Sequence, residues 1–366
     1  MPHFRTRRFQ PDDEQELNDA FIGVAQHGFP GFSRSLESMR WLWYQAPGGP
    51  LESWVIEVQN PDTSWSIVGH HGLCPVRFTL GERDLLCAKT TNTFLLPQYR
   101  SKFLYIRFEQ QCLAEVLSRY HLFYSCSHRI LRLRKPLGYQ EDDTWLVLEH
   151  GSRYLDIPTR LFAQFVRKVP RAPWMQLARA WAKACAFIAR KADFEWTEYT
   201  AQEAIKDPFF ADFWQQARIE AGLSPRRDVA DLAWRYWLRP DSHFVTLSHA
   251  WSGGARVYCV VNTRNPVSYH LSDFFVTPMR PDLLDEALNS LFFWCARRGA
   301  LTVYFSTAHR GQSPKLMEVF SRRMRICVLN RFRKHMQLCS YVSPKGRTEI
   351  GMALPRWNIT ELLMPY

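Results

Sequence analysis

The chain has 366 residues, more than one hydrophobic core normally spans, so two or three domains are expected. With 46% hydrophobic and 22% charged residues the composition is that of an ordinary globular protein and excludes disordered, collagen-like and disulfide-scaffold classes. The net charge of +12 is unevenly placed. Residues 1–150 hold 16 Lys and Arg against 17 Asp and Glu, so the basic character belongs to the remaining part of the chain.

The start, MPHFRTRRFQ, is basic with no apolar run behind it, and no window approaches the ~18 apolar residues of a membrane span. The reading is a cytoplasmic protein with no membrane association. Nine cysteines without a CxxC pair read as free, mostly buried thiols. His70-His71 lacks partner ligands at metal spacing, so no metal site is expected.

In chain order the periodicity predicts a strand over 4–9, helices over 11–26 and 36–44, and strands over 54–58, 65–73 and 85–96. A helix over 103–118, a strand over 122–125 and, after a short helix, a strand over 145–148 come next. Between 157 and 192 there are eight basic residues and no acid. There, Trp174, Leu177, Trp181, Cys185 and Ile188 share one face at 100° per residue and predict a helix buried on that face. Arg179, Lys183 and Arg190 form a stripe opposite. The second half then predicts strand 195–200, helices 208–221 and 229–238, strands 244–249, 256–262 and 270–276, helix 281–298, strand 301–306 and helix 314–322. Residues 310–347 hold ten basic residues against the single acid Glu318. Segregated charge of this kind suits a polyanion, nucleic acid ahead of membrane.

The halves resemble each other. Arg34, Leu36, Met39, Trp41, Tyr44 and Pro47 align without gaps on Arg227, Val229, Leu232, Trp234, Trp237 and Pro240, and FYSCSHR (123–129) aligns on YFSTAHR (304–310). Two matches in the same order indicate a duplicated domain rather than a solenoid. The expected architecture is an α/β (α+β mixed-sheet) fold in tandem: domains 1–150 and 194–366 joined by a basic helical linker, 151–193.

This element order, with LLPQYRSKFLYIRF (95–108) after the fourth strand and KPLGY (135–139) before the last hairpin, resembles the GNAT superfamily of N-acyltransferases. The resemblance implies two GNAT-like domains whose fourth and fifth strands splay around an acyl donor. A turn of pattern Q/R-x-x-G-x-G/A would hold the pyrophosphate at a helix N-terminus. Arg100 matches the first position, while the glycine positions hold Phe103 and Tyr105. The second copy's turn, TPMRPDLLDEAL (277–288), has no glycine and carries Asp282, Asp285 and Glu286. The family's frequent tyrosine acid falls on Arg134. Paired domains lacking the coenzyme loop are similar to Fem-like transferases, which implies aminoacyl-tRNA as donor and amide formation as the reaction.

Candidate donor-binding residues are Thr91, Thr93, Leu95, Leu96, Arg100 and Lys102, with Leu95 and Leu96 at the family's carbonyl-polarising N–H position. His128, His309 and Asp273 are candidate catalytic groups, the histidines because an imidazole titrates near neutrality; a turn cap and a strand-end turn are their structural alternatives. Cys126 reads as a buried thiol. Arg179, Lys183, Arg190, Arg322, Arg323, Arg325, Arg331, Arg333 and Lys334 are candidate phosphate contacts. The expected function is an acyltransferase joining an amine of a small molecule or peptide to an activated acyl group, with aminoacyl-tRNA as co-substrate and tRNA as partner. Two alternatives stand beside it: acyl-CoA or a carrier protein as donor, and an inactive pair that binds nucleic acid or protein.

Overall fold

The computed structural model describes residues 2–26, 35–126, 133–151, 172–188, 192–240, 242–308, 318–320, 322, 325–326 and 336–350. The first half contains β1 (Phe4–Arg8), α1 (Glu14–Gln26), α2 (Leu36–Tyr44), β2 (Glu52–Gln59), β3 (Trp65–Leu80), β4 (Arg83–Leu95), α3 (Lys102–Val116), β5 (Leu122–Cys126) and β6 (Gln140–Gly151). Then come α4 (Ala172–Ile188), β7 (Thr197–Tyr199), α5 (Ala201–Lys206), α6 (Pro208–Glu220), β8 (Leu223–Pro225) and α7 (Val229–Leu232), which continues as a π-helical turn over Ala233–Trp237. The chain continues with β9 (Phe244–Ala250), β10 (Arg256–Asn262), β11 (Ser268–Thr277), α8 (Pro281–Arg297) and β12 (Thr302–Ala308). It closes with β13 (Arg325–Ile326), β14 (Met336–Val342) and α9 (Pro344–Ile350). The fold is mixed α/β in two units, as the periodicity predicted.

The units are not the consecutive stretches 1–150 and 194–366. The first comprises the chain up to Asp143 together with the segment that begins at Met336, and the second runs from Thr144 to His335. The reason is an exchange of last strands. β14 pairs antiparallel with β5, Val342 opposite Leu122, while β6 pairs antiparallel with β12, Gly151 opposite Thr302. α9 secures the exchange in the first unit: Ser343 N–H donates to His121 O, and at Gly346 a Cβ would stand 1.9 Å from that same oxygen.

In the first unit β1 to β4 are antiparallel neighbours and β4 runs parallel to β5. Charge balance in this half becomes pairing: Arg5 and Arg7 meet Glu57, Arg7 also meets Asp13, and Arg8 meets Glu52 and Glu115. α2 is capped by the Ser35 hydroxyl on Ser38 N–H and buries Met39, Trp41, Leu42 and Trp43. On the other face α3 covers Trp54, Ile56, Leu73, Ala88 and Leu95 with Tyr105, Phe108 and Cys112.

The second unit orders its strands β6, β12, β11, β10, β9, β7. One face packs under α8 with Leu284, Leu288 and Leu291, the other under α6 and α7 with Phe210, Phe213, Trp214 and Tyr236.

α4 forms where the periodicity predicts it but is buried through another face. Ala178 and Ala182 are fully buried against Val267 and Leu301, whereas Trp174, Leu177 and Trp181 are 40%, 54% and 41% exposed. The small alanines allow close approach of the helix to the turn at Gly299, whose φ of 92° and missing Cβ leave room for the stem of Arg179. Bulk alone misassigned the buried stripe.

Candidate active site in the first unit

Where β4 and β5 part, the geometry is set by register. They pair over three residues only, Cys87 to Leu122, Ala88 to Phe123 and Lys89 to Tyr124. Beyond Lys89, β5 continues beside β14, and β4 continues beside β3. The edge of β4 over 90–95 is thereby turned to the gap.

A β-bulge shapes that edge, the β3–β4 register shifting between His70 and Gly72 opposite Phe94 and Thr91. Asn92, within the bulge, has φ 51°, and its carbonyl accepts a hydrogen bond from His70 Nδ1 at 2.6 Å. Burial lowers the His70 pKa to about 3, so the ring is neutral and Nε2 accepts from the Ser53 hydroxyl at 2.6 Å. His70 therefore pins the bulge.

Alternation assigns the backbone donors. Leu96 N–H donates to Val68 O at 2.9 Å across β3, which corrects the expectation that both N–H groups serve the site. In an antiparallel ladder the neighbouring residue points to the opposite edge, so the Leu95 N–H and C=O face the gap. The Leu95 carbonyl accepts from Arg100 Nε at 3.1 Å, tying the turn to the strand end. Arg100 thus acts as a brace. Ser101 caps α3 on Leu104 N–H, leaving the N–H groups of the first turn, at Lys102 and Phe103, without acceptors inside the helix. Phe103 is 75% exposed and Tyr105 is buried in the core, so neither ring covers the turn.

Sequence reasoning set His71 aside with its neighbour. It is fully buried between Trp54 and Phe108, with Nδ1 3.1 Å from the Thr93 hydroxyl and Nε2 without a hydrogen-bond partner. Burial, with the nearby Arg134 charge, lowers its pKa well below the ordinary value. Arg134, at the position of the family's acid, donates from Nε to Glu109 Oε1 at 2.6 Å and lies 5.2 Å from the Tyr139 ring centroid. The arrangement supplies a backbone donor aimed at the gap and, behind it, a neutral imidazole linked to a threonine hydroxyl. The one sequence signal for His71 is its place opposite the polar run Thr90 to Thr93.

Of the other candidates, Thr91 and Thr93 are on the bulge and half-buried; the Lys102 side chain, His128, His309, Arg190, Arg323, Arg331, Arg333 and Lys334 lie outside the described residues. Asp273 is buried in the second unit, accepting from Arg227 Nε at 3.1 Å, Tyr258 Oη at 2.9 Å and Phe274 N–H at 3.0 Å. Arg179, Lys183 and Arg322 are exposed, and the backbone of Arg325, in β13, lies opposite that of Glu149 in β6. Among the described residues no cluster could hold a metal ion and no helix is long and apolar enough to cross a membrane.

No protein-family model matches the chain, and neither does any curated protein. Solved structures do. A probable N-acyltransferase of unknown function from Enterococcus faecalis V583 is 10% identical, with a TM-score of 0.62 over 95% of this chain and 74% of its own. A GCN5-related N-acetyltransferase from Anabaena variabilis ATCC 29413 is 13% identical, with a TM-score of 0.54 over 93% and 73%. The Saccharomyces cerevisiae N-myristoyltransferase with bound myristoyl-CoA is 9% identical, with a TM-score of 0.51 over 93% and 79%. At such identities what this chain shares with them is the fold, that of the GCN5-related N-acyltransferases.

Proposed function

We propose that the protein transfers an activated acyl group to an amine in the gap between β4 and β5 of the first unit. The observation that carries this reading is the register at Leu95, which turns a backbone N–H into the gap where an acyl carbonyl oxygen would gather charge. The amine nitrogen attacks the acyl carbon, the bond from carbon to the sulfur or ester oxygen of the donor breaks, and the leaving group takes up a proton. The amine proton passes to Thr93 Oγ1 as the threonine proton moves to His71 Nδ1, and because the buried ring resists holding the charge the proton returns through Thr93 to the leaving group.

The donor carries phosphate toward the first turn of α3. An acyl thioester of coenzyme A fits best, because Phe103 stands out in solvent and Tyr105 is turned into the core; the bound myristoyl-CoA of the yeast neighbour is in keeping with this. Aminoacyl-tRNA is the second reading, favoured by the exposed Arg179 and Lys183 on a helix with no acidic residue. The Fem-like comparison belongs with it.

The test is transfer to an amine panel by the full chain, from acyl-CoA in one arm and aminoacyl-tRNA in the other, with coenzyme A and deacylated tRNA titrated in parallel. Product from thioesters alone establishes the first donor, and product from the aminoacyl ester alone the second. No product from either class with the folded protein overturns acyl transfer.

A further inference from the structure

α3 packs one face on the sheet and leaves the other in solvent. Tyr105, Phe108 and Cys112 face the core, while Phe103, Arg107, Gln110 and Ala114 are exposed and share a sector of about 60° over roughly 16 Å of the helix axis. Phe103, at 75%, is the most exposed large apolar side chain among the described residues. Arg107, one turn beyond it, has no partner. The other described arginines of residues 1–143 are engaged, among them Arg5, Arg7, Arg8, Arg40, Arg119 and Arg134 on carboxylates and Arg100 on the Leu95 carbonyl. The two acids of the helix are occupied away from this face, Glu109 on buried Arg134 and Glu115 on Arg8.

We propose that this face docks an acidic carrier protein that presents the acyl group as a thioester on a phosphopantetheine arm, one helix of the carrier lying along α3. The inference rests on the acyl-transfer reading and names the source of its thioester. The face begins at the first turn of α3, where the phosphate of the arm would be held. Arg100 ties that turn to the end of β4 beside the gap, so the arm has a short path to the Leu95 N–H. Arg107 has no internal counter-charge, and an acidic surface supplies one without breaking an existing ion pair. Phe103 offers the aromatic anchor that dominates protein interfaces, and the small Ala114 lets a second helix approach closely. Free coenzyme A carries the same arm but ends in a single nucleotide, which would engage the first turns and leave Gln110 and Ala114 uncovered. RNA would find one cation on this face, too few to hold it.

The experiment is fluorescence anisotropy of a labelled acidic carrier protein of fatty-acid synthesis, with and without its phosphopantetheine arm, titrated with the full chain, while turnover of the matching acyl-CoA is measured alongside. Both forms are expected to bind, the armed one more tightly, and both more weakly as salt rises. Arg107→Glu and Ala114→Glu are each expected to weaken binding of the armless form about tenfold. Ala114→Glu, three turns from the phosphate, is expected to leave KM for acyl-CoA unchanged. Both positions are exposed, and an unchanged thermal transition confirms the fold. No binding of the armless form, or an affinity indifferent to both substitutions, overturns the docking surface, while turnover of acyl-CoA in the same protein keeps acyl transfer standing. Docking without turnover from either thioester overturns acyl transfer and leaves the surface in place.

Discussion

The two units bend the same strand at the same place and finish the bend differently. In β4 the bulge is pinned from behind by His70, the Thr93 hydroxyl is linked to His71 Nδ1, and the Leu95 N–H remains directed at the open edge. In β11 the register shift falls opposite Val260 and Val261, next to Asp273. That carboxylate takes the Phe274 N–H, the Tyr258 hydroxyl and the Arg227 guanidinium, all buried. Arg227 in turn donates to Ser224 Oγ and Pro225 O. A bulge frees backbone donors, and a fold can aim them outward or satisfy them internally. The first unit does the former and the second the latter, which places the proposed chemistry in the first.

The strongest way to break this comparison is to remove the internal carboxylate. Asp273→Ala strands Arg227 without its countercharge and is expected to cost about 3–5 kcal/mol, read as a shift in the urea midpoint. Under conditions where the variant is folded, acyl transfer per folded molecule should stay near that of the parent. A loss of turnover beyond the unfolded fraction would move the site to the second unit.

Acid sharpens the other side. His70 has a folded pKa of about 3, and burial with the Arg134 charge holds His71 well below its ordinary value, against ~6.5 when unfolded. Between those values the unfolded chain binds the protons and the native state does not. The stability from the neutral rings is thus complete above pH ~6.5 and is lost as pH falls toward 3. The loss should approach about 1.4 kcal/mol per pH unit for each histidine, seen as urea midpoints falling from pH 7 to 5. His70→Asn should flatten the profile by about half; an unchanged profile would show that the ring is not held neutral.

The fold was largely legible because β3, β4, β10 and β11 carry unambiguous apolar patterns, and the duplication placed α2 and α7 correctly. The exchange of β6 and β14 was not: periodicity names strands but not their partners, and β14 sits in a stretch whose ten cations read as surface. α4 was legible as a helix and not as a face, since two alanines at a close contact outweigh two tryptophans. At the proposed site, Thr91, Thr93 and Leu95 were named from the strand pattern, while Arg100, named for the donor, braces the Leu95 carbonyl. His71 was not reachable, because its role depends on the bulge bringing Thr93 over it.

A smaller effect tests how the bulge of the second unit is satisfied. Tyr258→Phe removes one donor from Asp273 while Arg227 and the Phe274 N–H remain, so the expected cost is about 1–2 kcal/mol, well below that of Asp273→Ala.

The smallest is Thr93→Val, which keeps the volume and β-branching but deletes the hydroxyl facing His71 Nδ1. Its stability cost should be about 1 kcal/mol, one hydrogen bond to a group already unpaired at Nε2. Its effect on turnover should be larger in proportion, about a hundredfold in kcat with KM little changed, because general-base assistance contributes ~10²–10⁴. Thr93→Ser should restore most of kcat. If Val and Ser behave alike, the hydroxyl carries no proton, His71 is only a second clamp on the bulge, and the difference between the two units reduces to the Leu95 N–H alone.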